Sequence, residues 1–535
     1  MFNESVLIKK SKMKKITAII FMGVMVLATS CKKYLDINNN PNQATSATPE
    51  LILPQALTAT ASGINRFNSY GSQLVGYMAN AGGYGGFGTS VTYNFGSSDF
   101  QALWTATYDN LEDYQTIINQ TDENLPLYSY FNAAARIMKS YNYQMLVDAY
   151  GDVPYTEALK GADQLTTAYD DAATVYATLA SELDLSIKTI EDAMNAEGET
   201  IQPLGNSDVL FDGDMTKWIQ FANTIKLRLI IRAGDKANFA NKSFDAAGFI
   251  TEDALVNPGY TRDNGRQNPA WESWGFGYTG SAANKAWMPT KFIFGFYDGH
   301  KLADDWRGSA IYYKYPTTGT NQLGHEGNDI ESSPTGSFWY PSDNRDGATS
   351  GNTTGVLKGP DAGYPLMLAA ESYFLQAEGV VRNLISDDAK ALFNSGIVAS
   401  FHYLYELPDG SVDGDPEGDV AAYIAENADS YLVNFDLATS TEKKIEAIIT
   451  QKYIALNFIS GEEAWNEYRR THYPAIVNTP GATAYQTFAS TQSQSPRPDR
   501  LPTRILYPSS EGSYNSANVP KGISPFTTLI FWALQ

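Results

Sequence analysis

Cysteine is nearly missing from this 535-residue chain: Cys31 is the only one. A lone thiol closes no internal disulfide, so the fold has no covalent staple. Histidine is also scarce, with His300, His325, His402 and His472 scattered along the sequence. HEGND at His325 lacks the second histidine of a metalloprotease helix, and no G-x-S-x-G elbow is present, so zinc chemistry and histidine-based catalysis find little support. Basic residues are few: 38 Lys and Arg face 59 Asp and Glu, for a net charge of −21. No basic arm or stripe offsets that balance, and so acidic a surface repels phosphate backbones, which argues against nucleic-acid binding. Past residue 30 no apolar run approaches the roughly 20 residues that a bilayer span requires.

The one sustained apolar run lies at the start. Lys9, Lys10, Lys12, Lys14 and Lys15 form a basic region, Ile16 to Ala28 an apolar core too short to span, and Ala28-Thr29-Ser30 lead into Cys31. Met13, opening a compact MKK, is an alternative start. This order is that of a secretory signal peptide, and a cysteine placed directly after it reads as an acylation site. Residues 1–30 are therefore expected to be removed and Cys31 to carry lipid, several acyl chains giving the anchoring that one chain cannot. Cleavage takes away five lysines and Glu4, moving the net charge from −21 to −25. The alternatives are a signal peptide with an incidental cysteine or an uncleaved anchor helix. Residues 31–50 are polar and rich in Asn, Thr and Pro, as suits a flexible tether.

What the chain has in excess is aromatic surface: 13% of residues, with 34 Tyr and 9 Trp against 18% charged. Rings with polar tips suit wet recognition surfaces, carbohydrate sites among them. From Leu51 the pattern turns helical. Ala134, Ile137, Met138, Tyr141, Met145 and Ala149 share one face of a helix expected over Phe131–Tyr150, closed by Gly151. A second is expected over Met215–Ala233, with Asp212 or Asp214 as cap, Arg228 and Arg232 suiting its C-terminal dipole, and Gly234 as its stop. Others are expected over Pro365–Val381, Ala391–Tyr405 and Lys443–Phe458. In AEGVVRNLISDDAKALFNSGI, Ala377, Ala389, Phe393 and Gly396 fall loosely at tetratricopeptide spacing. Residues 250–360, dense in Gly, Asn, Thr, Trp and Tyr, lack sustained periodicity and are expected to form a loop-rich layer carrying the binding surface. The fold class is thus mostly α: a solenoid-like framework of tetratricopeptide-like helix pairs with an irregular layer on it. Length alone would allow two to four domains.

Six segments in order resemble the SusD/RagB outer-membrane lipoproteins of the Bacteroidetes, specifically the SusD-like nutrient-binding branch. They are KKYLDINNNPNQATSATPELILPQAL, MLVDAYGDVPY, GDMTKWIQFANTIKLRLIIRAGD, AAESYFLQAEGVV, IITQKYIALNFISGEEAWNEYRRTHYP and RPDRLPTRILYPSSEGSYNSANV, spanning Cys31 to about Val519. The lipobox is loose, with Leu27 one place too far from the cysteine, and residues 260–360 carry no family signature. The resemblance implies a single mostly helical domain over 51–535 with four tetratricopeptide-like pairs. It also implies a SusC-like TonB-dependent barrel as partner, with the lipoprotein as its hinged lid. The implied cargo is an oligosaccharide, or a peptide in some members, without catalysis.

Three aromatic groups are candidates for that cargo. Gly82, Gly83, Gly85, Gly86 and Gly88 surround Tyr84 and Phe87 in a loop with no preceding strand pattern and no Gly-Lys-Ser/Thr, so it is no phosphate loop. Tyr93, Phe95 and Trp104 follow, and the resemblance places ligand contacts in this early loop. The segment 268–287 offers Trp271, Trp274, Tyr278 and Trp287 beside Asn268 and Asn284, with Arg266 or Asp263 near: stacking rings flanked by groups that bond vicinal hydroxyls. Trp339 and Tyr340, with Asp343 and Arg345, form a weaker third group. Each ring has two readings, ligand contact or a pin holding a loop on the framework. SVDGDPEGD carries Asp413, Asp415, Glu417 and Asp419, with Asp409 before it. It lacks the glycine and distal glutamate of an EF-hand, so a structural calcium clip competes with a solvated acidic turn. Glu462 and Glu463 open a helix, where the dipole accounts for them. The leading reading is a surface lipoprotein that binds a nutrient oligomer, most simply a glycan, and delivers it to the barrel. The rivals are a surface glycosidase using paired carboxylates and an adhesive lipoprotein.

Overall fold

Caps and apolar stripes account for where the helices begin and which face they bury. In the computed structural model, which describes residues 47–161, 164–334, 336–341 and 353–535, ten principal helices form the frame. The leader, Cys31, most of the tether, Asp343 and Arg345 lie outside the described residues. Helices α1 (Pro49–Leu74), α2 (Gln101–Asp122), α3 (Leu125–Tyr150), α4 (Ala172–Met194) and α5 (Met215–Ala233) each pack on the next. Then α6 (Ala369–Val381) packs on α5, on α7 (Ala389–Tyr405) and on α9 (Thr441–Ala455). Helix α8 (Pro416–Glu426) rests on α7, and α10 (Gly461–Thr471) returns to α1. This is the mostly α frame of neighbouring helix pairs that the periodicity predicts. Residues Pro49–Gln535 form one unit, and no described helix is long and apolar enough to cross a membrane.

The caps are side-chain oxygens accepting from the first free N–H groups. Asp214 accepts from Thr216 and Lys217 at 2.9 and 3.2 Å, Asp171 from Thr174 at 2.9 Å, Asp388 from Lys390 at 2.9 Å and Ser440 from Lys443 at 3.2 Å. Asp212 is not the cap of α5; it takes a left-handed turn just before it, φ 53°. The helix expected from Pro365 begins only at Ala369, because Tyr364–Met367 is a strand, β4. It pairs antiparallel with β2 (Ala254–Val256), and Asp253 accepts the Ala369 N–H at 2.7 Å. Gly396 of α7 abuts the Phe374 ring of α6, as the tetratricopeptide spacing suggested.

Helices α1 and α10 cross with backbones touching. A Cβ on Gly71 would lie 2.1 Å from the Glu462 backbone nitrogen, and one on Gly461 2.3 Å from Ser72 Oγ. Only glycine on both sides lets them approach so closely.

Where α3, α5, α6, α9 and α10 converge, the interior is ionic. Arg228 and Arg232 do not serve the α5 dipole from the surface, for almost all of that helix is buried. Arg228 reaches Glu371 at 3.0 Å, while Arg232 joins Asp148 and Glu463. Lys452 bonds Glu463 at 2.7 Å and Glu467 at 3.2 Å, and Arg470 forks onto Glu378 at 2.7 Å. Glu462 and Glu463 are likewise interior, not solvated dipole partners. Burial opposes the charge on both; Arg232, Lys452 and Arg228 overcome it for Glu463, whose carboxyl is held well below its usual range, whereas that of Glu462 is pushed well above. Removing one partner from such a network costs about 3–5 kcal/mol, since the other charge stays buried and uncompensated.

The described residues between 250 and 360 form the irregular layer, held by short pairings. Strand β3 (Trp287–Pro289) runs antiparallel to β1 (Met78–Asn80), with Asn80 opposite Trp287. Helical turns at Pro269–Trp274, Lys291–Phe294 and Asp305–Ile311 interrupt the loops. Trp339 stacks on Phe458 at 3.9 Å and 9°, and Trp274 meets Phe458 edge-on at 5.2 Å. These rings dock the layer to the helices, adding on the order of 1.5–3 kcal/mol for each large side chain buried.

Candidate functional site

Burial sorts the rings. Seven of the nine tryptophans are at most 6% exposed: Trp104, Trp218, Trp271, Trp274, Trp339, Trp465 and Trp532. Only Trp287 and Trp306 are half-buried. A ring sealed on both faces has none to lend to a ligand, so several candidates have structural work instead. Trp271 packs against Phe276 and Tyr340, each at 5.6 Å. Trp104 sits among Tyr108, Tyr150, Tyr169 and Tyr507. Tyr93 is buried and its hydroxyl accepts the Ser490 N–H at 3.1 Å, and Phe95 packs beside it. Asn268 caps Pro269–Trp274, accepting from Ala270 and Trp271 while donating to the Ala362 and Gly363 carbonyls. Asn284, half-buried, accepts the Ala286 N–H at 3.0 Å.

Part of what stays accessible lies near the β1–β3 edge. Contrary to the expectation of no preceding strand, the glycine-rich loop leaves β1 directly, and Gly82 donates to the Glu331 carbonyl at 3.0 Å; the missing Gly-Lys-Ser/Thr alone still excludes a phosphate loop. A Cβ at Gly82 would lie 2.2 Å from the Ile330 oxygen, so glycine is what lets the two loops touch. Beyond it Tyr84 stands 47% exposed, and Phe87 meets Trp287 edge-to-face at 5.3 Å and 72°. One residue of each sequence group, two hundred positions apart, thus meets the other here. The rim of this contact is polar. Asn80 accepts the Gly324 N–H at 2.9 Å and donates to the His325 carbonyl at 2.8 Å, holding the 321–332 loop against the sheet edge. His325 bonds Asp329 at 3.3 Å and lowers that carboxyl below its usual range, and both side chains are exposed beside Glu331. Tyr278, 46% exposed, stands on a separate turn at Gly277–Gly280. Trp306 was not singled out from the sequence, where nothing distinguishes an accessible tryptophan from a buried one.

The acidic run 409–419 has other uses. Asp415 caps α8, Asp419 accepts from the Tyr405 hydroxyl at 2.7 Å, Glu417 meets His402 at 2.9 Å and Asp409 accepts from Ser411. Asp413 is exposed. Among the described residues no group of three or more His, Cys, Asp or Glu side chains is placed to hold a metal ion, so the calcium-clip reading of Asp413, Asp415, Glu417 and Asp419 gains no support.

A helical frame with tetratricopeptide-like pairs thus carries a loop layer on which Phe87 and Trp287 meet near the exposed Tyr84. The chain belongs to the SusD-like family, described as "Starch-binding associating with outer membrane", whose match runs over residues 41–508. Family members bind carbohydrate and are not enzymes. Solved structures share the fold across nearly their whole length. A SusD/RagB family protein from Bacteroides thetaiotaomicron is 19% identical at a TM-score of 0.66, covering 91% of this chain and 99% of its own. A SusD homolog from Bacteroides uniformis is 24% identical at 0.64, covering 90% and 99%. A chitin-binding SusD homolog from Flavobacterium johnsoniae is 24% identical at 0.62, covering 89% and 98%. No curated protein sequence matches the chain.

Proposed function

We propose that the protein is a lipid-anchored, outward-facing outer-membrane lipoprotein that captures a glycan on the Tyr84–Phe87–Trp287 platform and hands it to a SusC-like TonB-dependent transporter. The observation that carries the reading is the Phe87–Trp287 pair: two half-buried rings on converging loops, one of them fixed by β-pairing, with the exposed Tyr84 three residues from Phe87. Sugar C–H faces stack on such rings, and the exposed imidazole and carboxylates of His325, Asp329 and Glu331 suit the hydroxyls. The chitin-binding relative and the starch-binding description of the family support a glycan over a peptide. Cys31 after its apolar leader supports the anchor. The test is retention on a polysaccharide panel, with soluble products assayed in parallel. Retention of at least one glycan without new reducing ends is expected; product release by the purified protein would favour the glycosidase instead.

A further inference from the structure

The ionic interior contains a small cavity where α3, α5 and α10 meet. It is lined by Gln144 and Asp148 of α3, Arg228 and Arg232 of α5, and Glu462 and Glu463 of α10, each at most 5% exposed. Its volume is about 20 Å³, room for one water-sized molecule and too little for a sugar. Three side-chain atoms of these wall residues are buried and have no hydrogen-bond partner among the described residues: Gln144 Nε2, Arg232 Nε and Glu462 Oε1. The neighbouring bonds explain why. Gln144 turns its carbonyl oxygen to Arg228, accepting at 3.2 and 3.0 Å, which points its amide nitrogen elsewhere. Arg232 commits its two terminal nitrogens to Asp148 and Glu463 and keeps Nε free of both. Buried polar atoms are almost always paired, so three of them around one cavity call for a shared partner.

Charge and donor count say what that partner is. Burial pushes the Glu462 carboxyl well above its usual range; Asp148 and Glu463 add to the effect, and Arg469 and Arg232 oppose it. Glu462 is therefore neutral near pH 7, and Oε1 as its carbonyl oxygen is an acceptor. The charges left on the wall, Arg228 and Arg232 against Asp148 and Glu463, balance. An ion of either sign would add uncompensated charge to the interior. A cation would also face two N–H donors, on Gln144 and Arg232. What fits is a neutral molecule of one heavy atom that accepts twice and donates at least once. Buried waters typically make about three such bonds.

We infer that this cavity is a binding site for one internal water, which accepts from Gln144 Nε2 and Arg232 Nε and donates to Glu462 Oε1. The water ties α3, α5 and α10 together at a point where their own side chains do not reach one another, and it is independent of how the protein binds cargo. High-resolution crystal structures of the full chain, with and without a sodium bromide soak, test it. Expected is a single water-like peak within about 2.7–3.2 Å of both nitrogens and of the carboxyl oxygen, unchanged by the soak. A cavity without density in the parent would refute the site outright. An anomalous bromide peak in it would overturn the water in favour of an anion. Two variants check the third contact. Glu462→Gln still offers a carbonyl oxygen and should keep the peak. Glu462→Met removes the acceptor at similar length and should lose it. A peak of parent strength in Glu462→Met, or its loss from Glu462→Gln, would overturn the role given to Oε1.

Discussion

Replacing Trp287 by alanine separates a ring that binds from a ring that packs. Trp287 is half-buried and touches Phe87 edge-to-face at 5.3 Å. Its loss removes one aromatic pair, about 0.5–1.5 kcal/mol, together with partial burial. The stability cost should therefore fall clearly below the ~3–5 kcal/mol of a sealed tryptophan. Affinity should suffer more. An aromatic anchor at the centre of a contact contributes about 2 kcal/mol or more, or roughly a 30-fold rise in Kd. Trp274→Ala supplies the contrast, because that ring is 5% exposed between Phe458 and Trp339. It should cost ~3–5 kcal/mol of stability while the folded fraction keeps the parent affinity. Urea unfolding followed by far-ultraviolet circular dichroism gives the first quantity, and calorimetry on the best glycan of the panel the second. Unchanged glycan affinity in a folded Trp287→Ala protein would refute the platform, as would a loss of affinity in folded Trp274→Ala.

Gly461→Ala would put a Cβ 2.3 Å from Ser72 Oγ and 2.4 Å from its backbone nitrogen, so the α1–α10 crossing must open. Overpacking of this kind costs about 1–3 kcal/mol or more, read as a lower urea midpoint at constant m. For Glu378, burial alone would raise the carboxyl, but Arg470 and Arg382 outweigh it and bring it from 4.5 down to about 2. A depressed acid stabilises fully above its unfolded value and loses that contribution as pH falls through the folded one. About 3 kcal/mol should therefore vanish between pH 4.5 and about 2, in urea titrations run at each pH. Glu378→Gln should flatten that part of the profile. Cys31→Ala should abolish incorporation of labelled palmitate and shift the protein from the membrane to the soluble fraction. Persistent labelling would exclude the sole cysteine as the anchor.

Local signals in the chain were legible where local physics decides. Helix α5 was marked at both ends because Asp214 and Gly234 act within one turn of their own positions. Pro365–Met367 was misassigned because its apolar run fits either element; the partner that makes it a strand, Ala254–Val256, lies over a hundred residues upstream. The same distance hid the roles of Arg228 and Arg232. A cation near a helix end looks like a dipole partner until Asp148 and Glu463 arrive from other helices.

Composition and periodicity by themselves determined the helical frame, the irregular layer and the surplus of rings, since each follows from neighbours a few residues away. The family match adds the binding class. Which rings face solvent was settled only by the tertiary structure. Trp271, Trp274 and Trp287 are chemically identical and lie within one short segment. Pairing of β3 with β1 carries Trp287 to the sheet edge beside Phe87, whereas the other two close over helices and loops distant in sequence. Exposure belongs to the packed assembly of remote segments, and no residue type encodes it alone.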